Sequence, residues 1–288
     1  MKRPVRLGLA QYATDPRDPI QSRADSLTAL DEALELEAQL VVLPELTAPG
    51  YSADPDLLWA GAETLEGPTV EAWAKRAATS GAVIVGGICE REGDRLFNSA
   101  VTVGPDGVLS VYRKLHLFAD EKAVFAPGDR GLAVVDTPYG RIGACICYDL
   151  RFVEVVRTLS LKGAEIVAVP TAWLPGFDKT WWDEKGMAPQ ATTALVQANL
   201  DQVVIACASA AGPMGEYHFL GSSIVADPWG KLAVGPLPGN DRCISVTEID
   251  LGEVERSQHR GPGIDPRLDR RTDVYAIVGA DIENENLA

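Results

Sequence analysis

Histidine is scarce in this chain: His116, His218 and His259 are all that 288 residues contain. That shortage excludes two common chemistries. A serine or cysteine hydrolase of the usual kind needs an imidazole base, and no Gly-x-Ser-x-Gly elbow is present either. None of the three histidines lies at ligand spacing from Cys145 or Cys147, so this Cys-x-Cys pair is not read as a metal site. Basic residues are also short, with 26 Lys and Arg against 41 Asp and Glu, a formal charge of −15. Such a surface repels phosphate backbones and anionic lipid, which argues against nucleic acid and membranes as partners. No apolar run is long enough to span a bilayer, and Leu7-Gly-Leu-Ala10 behind the basic start is too short for a signal peptide. P-loop and dinucleotide-binding glycine patterns are missing from any strand-to-helix context. Linkers and low-complexity tracts are missing too, so one domain is expected over residues 1–275, followed by a C-terminal tail, 276–288.

What is present is an ordinary globular composition, 46% hydrophobic and 23% charged, sufficient for a sizeable core. β-Branched runs at Val5–Ala10, Leu40–Leu43, Ala82–Ile88, Arg141–Ile146, Glu165–Val169 and Gln202–Ala208 alternate with helical patterns at Gln21–Ala38, Thr69–Thr79 and Thr192–Leu200. That alternation predicts an α/β fold. Hairpins are expected around Gly104-Pro-Asp-Gly107 and Thr137-Pro-Tyr-Gly140, which makes the sheets mixed. Leu40-Val-Val-Leu-Pro44 and Ile166-Val-Ala-Val-Pro170 echo one another as buried strands stopped by proline, the mark of two similar halves facing each other. The segment Arg260–Tyr275 lacks periodicity and is expected to wrap a surface. Five cysteines, an odd number in a chain with no targeting signal, point to a reducing, cytoplasmic compartment.

Reactive side chains concentrate where strands end, because a sheet gives rigidity while the following turn lets a side chain enter a cleft. Glu45 follows one such run, Lys114 follows Val108–Arg113, and Cys147 follows Ile142–Ile146. Cys147 is the best nucleophile candidate, since it meets polar residues at once and stands ahead of a helix expected near Phe152. A helix start and a nearby lysine would each lower its thiol pKa. With so little histidine, a carboxylate is the natural base.

At these residues the chain resembles the nitrilase superfamily of carbon-nitrogen hydrolases over nearly its whole length. The resemblance rests on Leu43-Pro-Glu45, Tyr112-Arg-Lys-Leu-His116 with Leu117-Phe118, and Cys147-Tyr-Asp-Leu-Arg-Phe152. Glu121 with Phe125-Ala-Pro-Gly128, Pro170-Thr-Ala-Trp173, Gly221-Ser-Ser and Asp227-Pro-Trp-Gly230 extend it. It implies an α-β-β-α sandwich in a single domain, a homodimer or larger homo-oligomer, and a Glu-Lys-Cys triad that needs no cofactor or metal. Carried onto this chain, Glu45 is the general base and acid, Lys114 the cation beside the oxyanion, Cys147 the nucleophile and Glu121 an orienting glutamate. Tyr148 would add its backbone N–H.

Two departures bear on substrate. Val153 stands where related amidases commonly have proline, and Tyr148-Asp149 stands where nitrile-hydrolysing members typically have Trp-Glu or a similar pair. The resemblance therefore implies small aliphatic amides or omega-amides as substrates, with N-carbamoyl compounds or nitriles as the alternative, and an acyltransferase or a silent scaffold as different classes. Tyr148, Trp173, Tyr51 and Arg151 are the expected substrate-binding residues. Arg151 is read either as a partner for a substrate carboxylate or as a structural bridge to Asp149 or Glu154. The aromatic stretch Trp173–Lys185 is read either as a pocket wall or as ordinary packing.

Overall fold

A computed structural model describes residues 1–176 and 186–277 of the chain. Most of the stretch Trp173–Lys185, and the tail beyond residue 277, lie outside the described residues. The strands are β1 (Pro4–Gln11), β2 (Leu40–Val42), β3 (Val83–Glu92), β4 (Arg95–Gly104), β5 (Gly107–Arg113), β6 (Val134–Thr137), β7 (Gly140–Ala144), β8 (Ile166–Thr171), β9 (Val204–Ser209), β10 (Ala211–Met214), β11 (Tyr217–Leu220), β12 (Ile224–Ala226), β13 (Leu232–Val234) and β14 (Cys243–Asp250). The helices are α1 (Pro19–Glu35), α2 (Pro55–Gly61), α3 (Pro68–Ser80), α4 (Val153–Leu161), α5 (Pro189–Asp201) and α6 (Gly252–Gln258), with 3₁₀ turns at Ala119–Ala123 and Cys147–Arg151.

Two six-stranded sheets form, in the orders β14-β1-β2-β3-β4-β5 and β13-β12-β9-β8-β7-β6, with β10-β11 as a separate hairpin. In each, two parallel pairings join three central strands and antiparallel strands close the edges: β1-β2-β3 in one sheet, β7-β8-β9 in the other. The pairing pattern sets β2 against β8 as equivalent positions, so the two echoing proline-stopped runs are the middle strands of matching half-structures.

Alternation along the strands explains the layers. Val5, Leu7 and Leu9 of β1, Leu40 and Val42 of β2 and Val83 and Val85 of β3 share one core with Ile166, Ala168, Ile205 and Cys207 of the opposite sheet. Their neighbours Val41, Leu43 and Ile84 belong to a second core with Ala29, Leu30 and Ala33 of α1 and Trp73 of α3. Gly86 makes this approach possible, because a Cβ there would run into the Trp73 ring. Ala191, Ala194 and Ala198 of α5, and Val156 and Leu159 of α4, cover the other sheet. The result is the expected α-β-β-α sandwich in one domain, with both expected hairpins in place.

The segment after α6 lies over the end of α5. Arg260 donates to the Asn199 carbonyl at 2.9 Å and stacks over the Trp229 ring, and Arg267 donates to the Asp201 carbonyl at 3.0 Å. Among the described residues, no helix is long and apolar enough to cross a membrane.

Candidate active site

Glu45, Lys114 and Cys147 leave strand ends in both sheets and meet between them. Glu45 follows β2, Lys114 follows β5, and Cys147 opens the 3₁₀ turn after β7. The backbone crosses closely here: the Glu45 N–H reaches toward the Thr171 carbonyl at 3.4 Å, and a Cβ on Gly87 would fall on Leu46 N, Glu45 Cα and the Pro44 carbonyl. Gly87 therefore fixes the path of the Glu45 segment.

Lys114 is the hub. Its Nζ donates to Glu45 Oε1 at 2.6 Å and to both Glu121 oxygens at 2.9 Å, and all three side chains are buried. Burial alone would push the ammonium toward neutrality, but Glu121 and Glu45 more than offset this and raise its pKa, so it is held as a cation.

The two glutamates differ in what remains of them. Glu121 is saturated: Tyr51 OH donates to Oε1 at 2.9 Å and the Phe118 N–H to Oε2 at 2.9 Å, in addition to Lys114. Glu45 receives Asn98 Nδ2 at 2.8 Å on the same Oε1 that Lys114 holds, and its buried Oε2 has no partner among the described residues. Burial raises the Glu45 pKa, Lys114 pulls it back and the Glu121 charge adds to the rise. Of the two carboxylates, only Glu45 offers a bare oxygen to a proton.

Cys147 has φ of +46°, a left-handed conformation uncommon for a non-glycine residue and frequent at functional turns. The sequence expectation of a lowered thiol pKa is corrected here. Burial and then Glu45 push the thiol well up, with Lys114, the Thr171 hydroxyl and the Ala172 backbone opposing only in part. The helix expected near Phe152 is present as α4, capped at Phe152, but a five-residue 3₁₀ turn separates Cys147 from its N-terminus. The resting sulfur is thus a thiol that needs a base.

Asp149 ties the lysine and cysteine segments together. Fully buried, it accepts from Tyr112 OH at 2.7 Å, the His116 N–H at 3.1 Å and the Ile146 N–H at 3.0 Å, and pairs with His116 Nδ1 at 2.8 Å. His116 stacks on Phe152, the centroids 3.5 Å apart.

A pocket of about 410 Å³, open solvent included, reaches Cys147 and is lined by Tyr51, Phe118, Tyr148, Leu150, Arg151, Ala172, Trp173, Leu174, Gln190 and Thr193. All four expected substrate-binding residues line it. Tyr51 also packs edge-on against Tyr217 and Phe219, 5.3 and 5.7 Å between centroids, which fixes the hydroxyl that holds Glu121. Arg151 is the only charged side chain among the described lining residues. Sequence reasoning missed Asn98, Asp149 and Thr171. For Asp149 and Thr171, their places inside the Cys147–Phe152 and Pro170–Trp173 motifs were the available signal; Asn98 lies mid-strand with none.

An α-β-β-α sandwich that couples a pocket-lining thiol electrostatically to a buried lysine paired with two carboxylates has the makings of a hydrolase. The chain belongs to the carbon-nitrogen hydrolase family, which matches residues 6–258, and it is an enzyme that hydrolyses non-peptide carbon–nitrogen bonds. It is 35% identical over 273 residues to a nitrilase from Pyrococcus abyssi, covering 94% of this chain and 99% of that one. It is 30% identical over 287 residues to an omega-amidase from Xenopus tropicalis, covering 94% and 97%. Among solved structures, a carbon-nitrogen hydrolase from Helicobacter pylori superposes with a TM-score of 0.83 at 26% identity, covering 95% and 97%.

Proposed function

We propose that this enzyme converts small aliphatic amides, and foremost omega-amides of short dicarboxylic acids, to the acid and ammonia through a thioester on Cys147. The observation that carries the reading is the bare, buried Glu45 Oε2 beside a thiol whose own pKa is raised. A thiol held neutral by burial becomes a nucleophile only if a base removes its proton as it attacks.

Cys147 Sγ attacks the amide carbon while Glu45 Oε2 takes the thiol proton. Charge develops on the carbonyl oxygen, where the Lys114 ammonium and the Tyr148 N–H stabilise it. Glu45 passes its proton to the departing nitrogen, ammonia leaves and the thioester remains. Water then attacks the thioester, Glu45 accepts a proton from it, and the same oxygen is stabilised again. When the carbon–sulfur bond breaks, that proton returns to sulfur, so the acid leaves and Cys147 is restored. Glu121, with every oxygen engaged, keeps Lys114 in place and supplies negative charge that offsets the cation.

The pocket supports the substrate class. Tyr51, Phe118, Leu150, Trp173 and Leu174 suit a short hydrocarbon chain, and Arg151 suits a carboxylate at its far end. The name of the Xenopus tropicalis relative points the same way. Function as a cytoplasmic homodimer is part of this reading. It is supported by five free cysteines and by the exposed apolar residues Val153 of α4 and Val196 and Leu200 of α5.

Ammonia release from aliphatic amides, omega-amides, N-carbamoyl compounds and nitriles, measured beside Cys147→Ala, tests the proposal. Release confined to the wild type and strongest for omega-amides is expected. Preferred turnover of nitriles or N-carbamoyl compounds would overturn the substrate class.

A further inference from the structure

Asn98 is the only hydrogen-bonding neighbour of Glu45, apart from Lys114, that the described side chains provide. It sits within β4, fully buried, and nothing in the reaction requires an amide there. Its two contacts are specific. The side chain donates to Glu45 Oε1 at 2.8 Å, and its backbone carbonyl accepts the Lys114 N–H at 2.8 Å. One residue thus holds the base through its side chain and the lysine through its main chain.

The consequence is visible by comparison with Glu121. Both carboxylates border the Lys114 ammonium, and Glu121 turns both oxygens to it at 2.9 Å. Glu45 gives it one oxygen only. A carboxylate beside a buried cation gains by presenting both oxygens unless another donor competes. Asn98 is that donor, and it draws Oε1 into a shared position that leaves Oε2 bare.

We infer that Asn98 is a positioning residue that selects Glu45 Oε2 as the working base by holding Oε1 together with Lys114, and so prevents Glu45 from chelating the lysine as Glu121 does. This rests on Glu45 being the base for Cys147. Without the amide, Glu45 rotates toward Lys114 and the thiol loses its proton acceptor. The Asn98 bond also lowers the proton affinity of Glu45, so its removal raises the pH at which the base becomes ionised.

The test needs no knowledge of the substrate. The rate of Cys147 alkylation by iodoacetamide, with the modified peptide located by mass spectrometry, is followed against pH in wild type, Asn98→Ala, Glu45→Gln and the double variant. Asn98→Ala is expected to react about 100-fold more slowly, the low end of what general-base assistance supplies. Its acidic limb should move to higher pH. Adding Asn98→Ala to Glu45→Gln should slow the reaction no further, because a residue acting only through Glu45 has nothing left to position. An additional loss in the double variant would mark a role in the fold and overturn the inference. If Glu45→Gln is slow while Asn98→Ala matches wild type, the base reading stands and this inference fails. If Glu45→Gln itself matches wild type, the base reading fails and takes the inference with it. Should Asn98→Ala not fold, Asn98→Asp keeps the volume and sets a carboxyl beside Glu45. Its acidic limb should also move to higher pH, and an unchanged limb would contradict the inference.

Discussion

Lys114 Nζ lies 2.6 Å from Glu45 Oε1, while Glu45 Oε2 has no partner among the described residues. A cation bound to one oxygen of a buried carboxylate opposes the effect of burial and favours the ionised form, while the other oxygen stays free for a proton. The account of catalysis depends on that division.

Replacing Glu121 by Gln tests the electrostatics with a definite sign. Glu121 raises the Glu45 pKa, so removing its charge lowers that pKa. The base is then ionised at more acid pH, and the acidic limb of kcat/KM should move to lower pH. kcat should fall about 100-fold as Lys114 loses its bidentate partner, within the range one electrostatic group contributes. A pH–rate profile of Glu121→Gln decides it.

Gly87→Ala should act through the same carboxylate from the backbone side. The added Cβ has no room against Leu46 N and Glu45 Cα, and overpacking of this kind costs about 1–3 kcal/mol. Urea unfolding should show that loss, and kcat should fall in the soluble variant because the Glu45 segment is displaced.

Much of this arrangement is legible in the sequence. Proline-stopped and glycine-flanked strands announce themselves locally, and the residues at their ends, Glu45, Lys114 and Cys147, are the ones the fold brings together. The start of α2 was readable too, in Asp54-Pro55: the Asp54 side chain accepts from the Asp56 and Leu57 N–H groups ahead of this helix, but seven residues give too little periodicity to draw notice. Asn98 was not readable, since a polar residue inside a strand acquires meaning only when Glu45, 53 positions away, is folded against it. The thiol pKa failed for the same reason: proximity to a turn is local, but burial and the Glu45 charge are tertiary.

Asp149→Ala should be among the most destabilising single changes. It leaves donors from Tyr112, His116 and Ile146 without their acceptor, and each orphaned buried group costs about 1–3 kcal/mol. Urea unfolding should show a loss of at least about 3 kcal/mol, with Cys147 reactivity falling as its turn loosens.

Arg151→Met should separate substrates. For an omega-monoamide of a short dicarboxylic acid, KM should rise about 10- to 100-fold, the worth of a hydrogen bond to a charged group. A neutral aliphatic amide should be turned over nearly unchanged. Equal losses for both would show that Arg151 supports the pocket and does not read a carboxylate.

The central claim is a covalent thioester on Cys147, and the most direct test is to quench the enzyme in acid during turnover of an amide and map the acylated peptide by mass spectrometry. The account predicts an acyl adduct on Cys147, none on buried Cys89, Cys145 or Cys207, and no ammonia release by Cys147→Ala. Wild-type ammonia release by Cys147→Ala, or an adduct on another residue that forms and decays at the turnover rate, would contradict it.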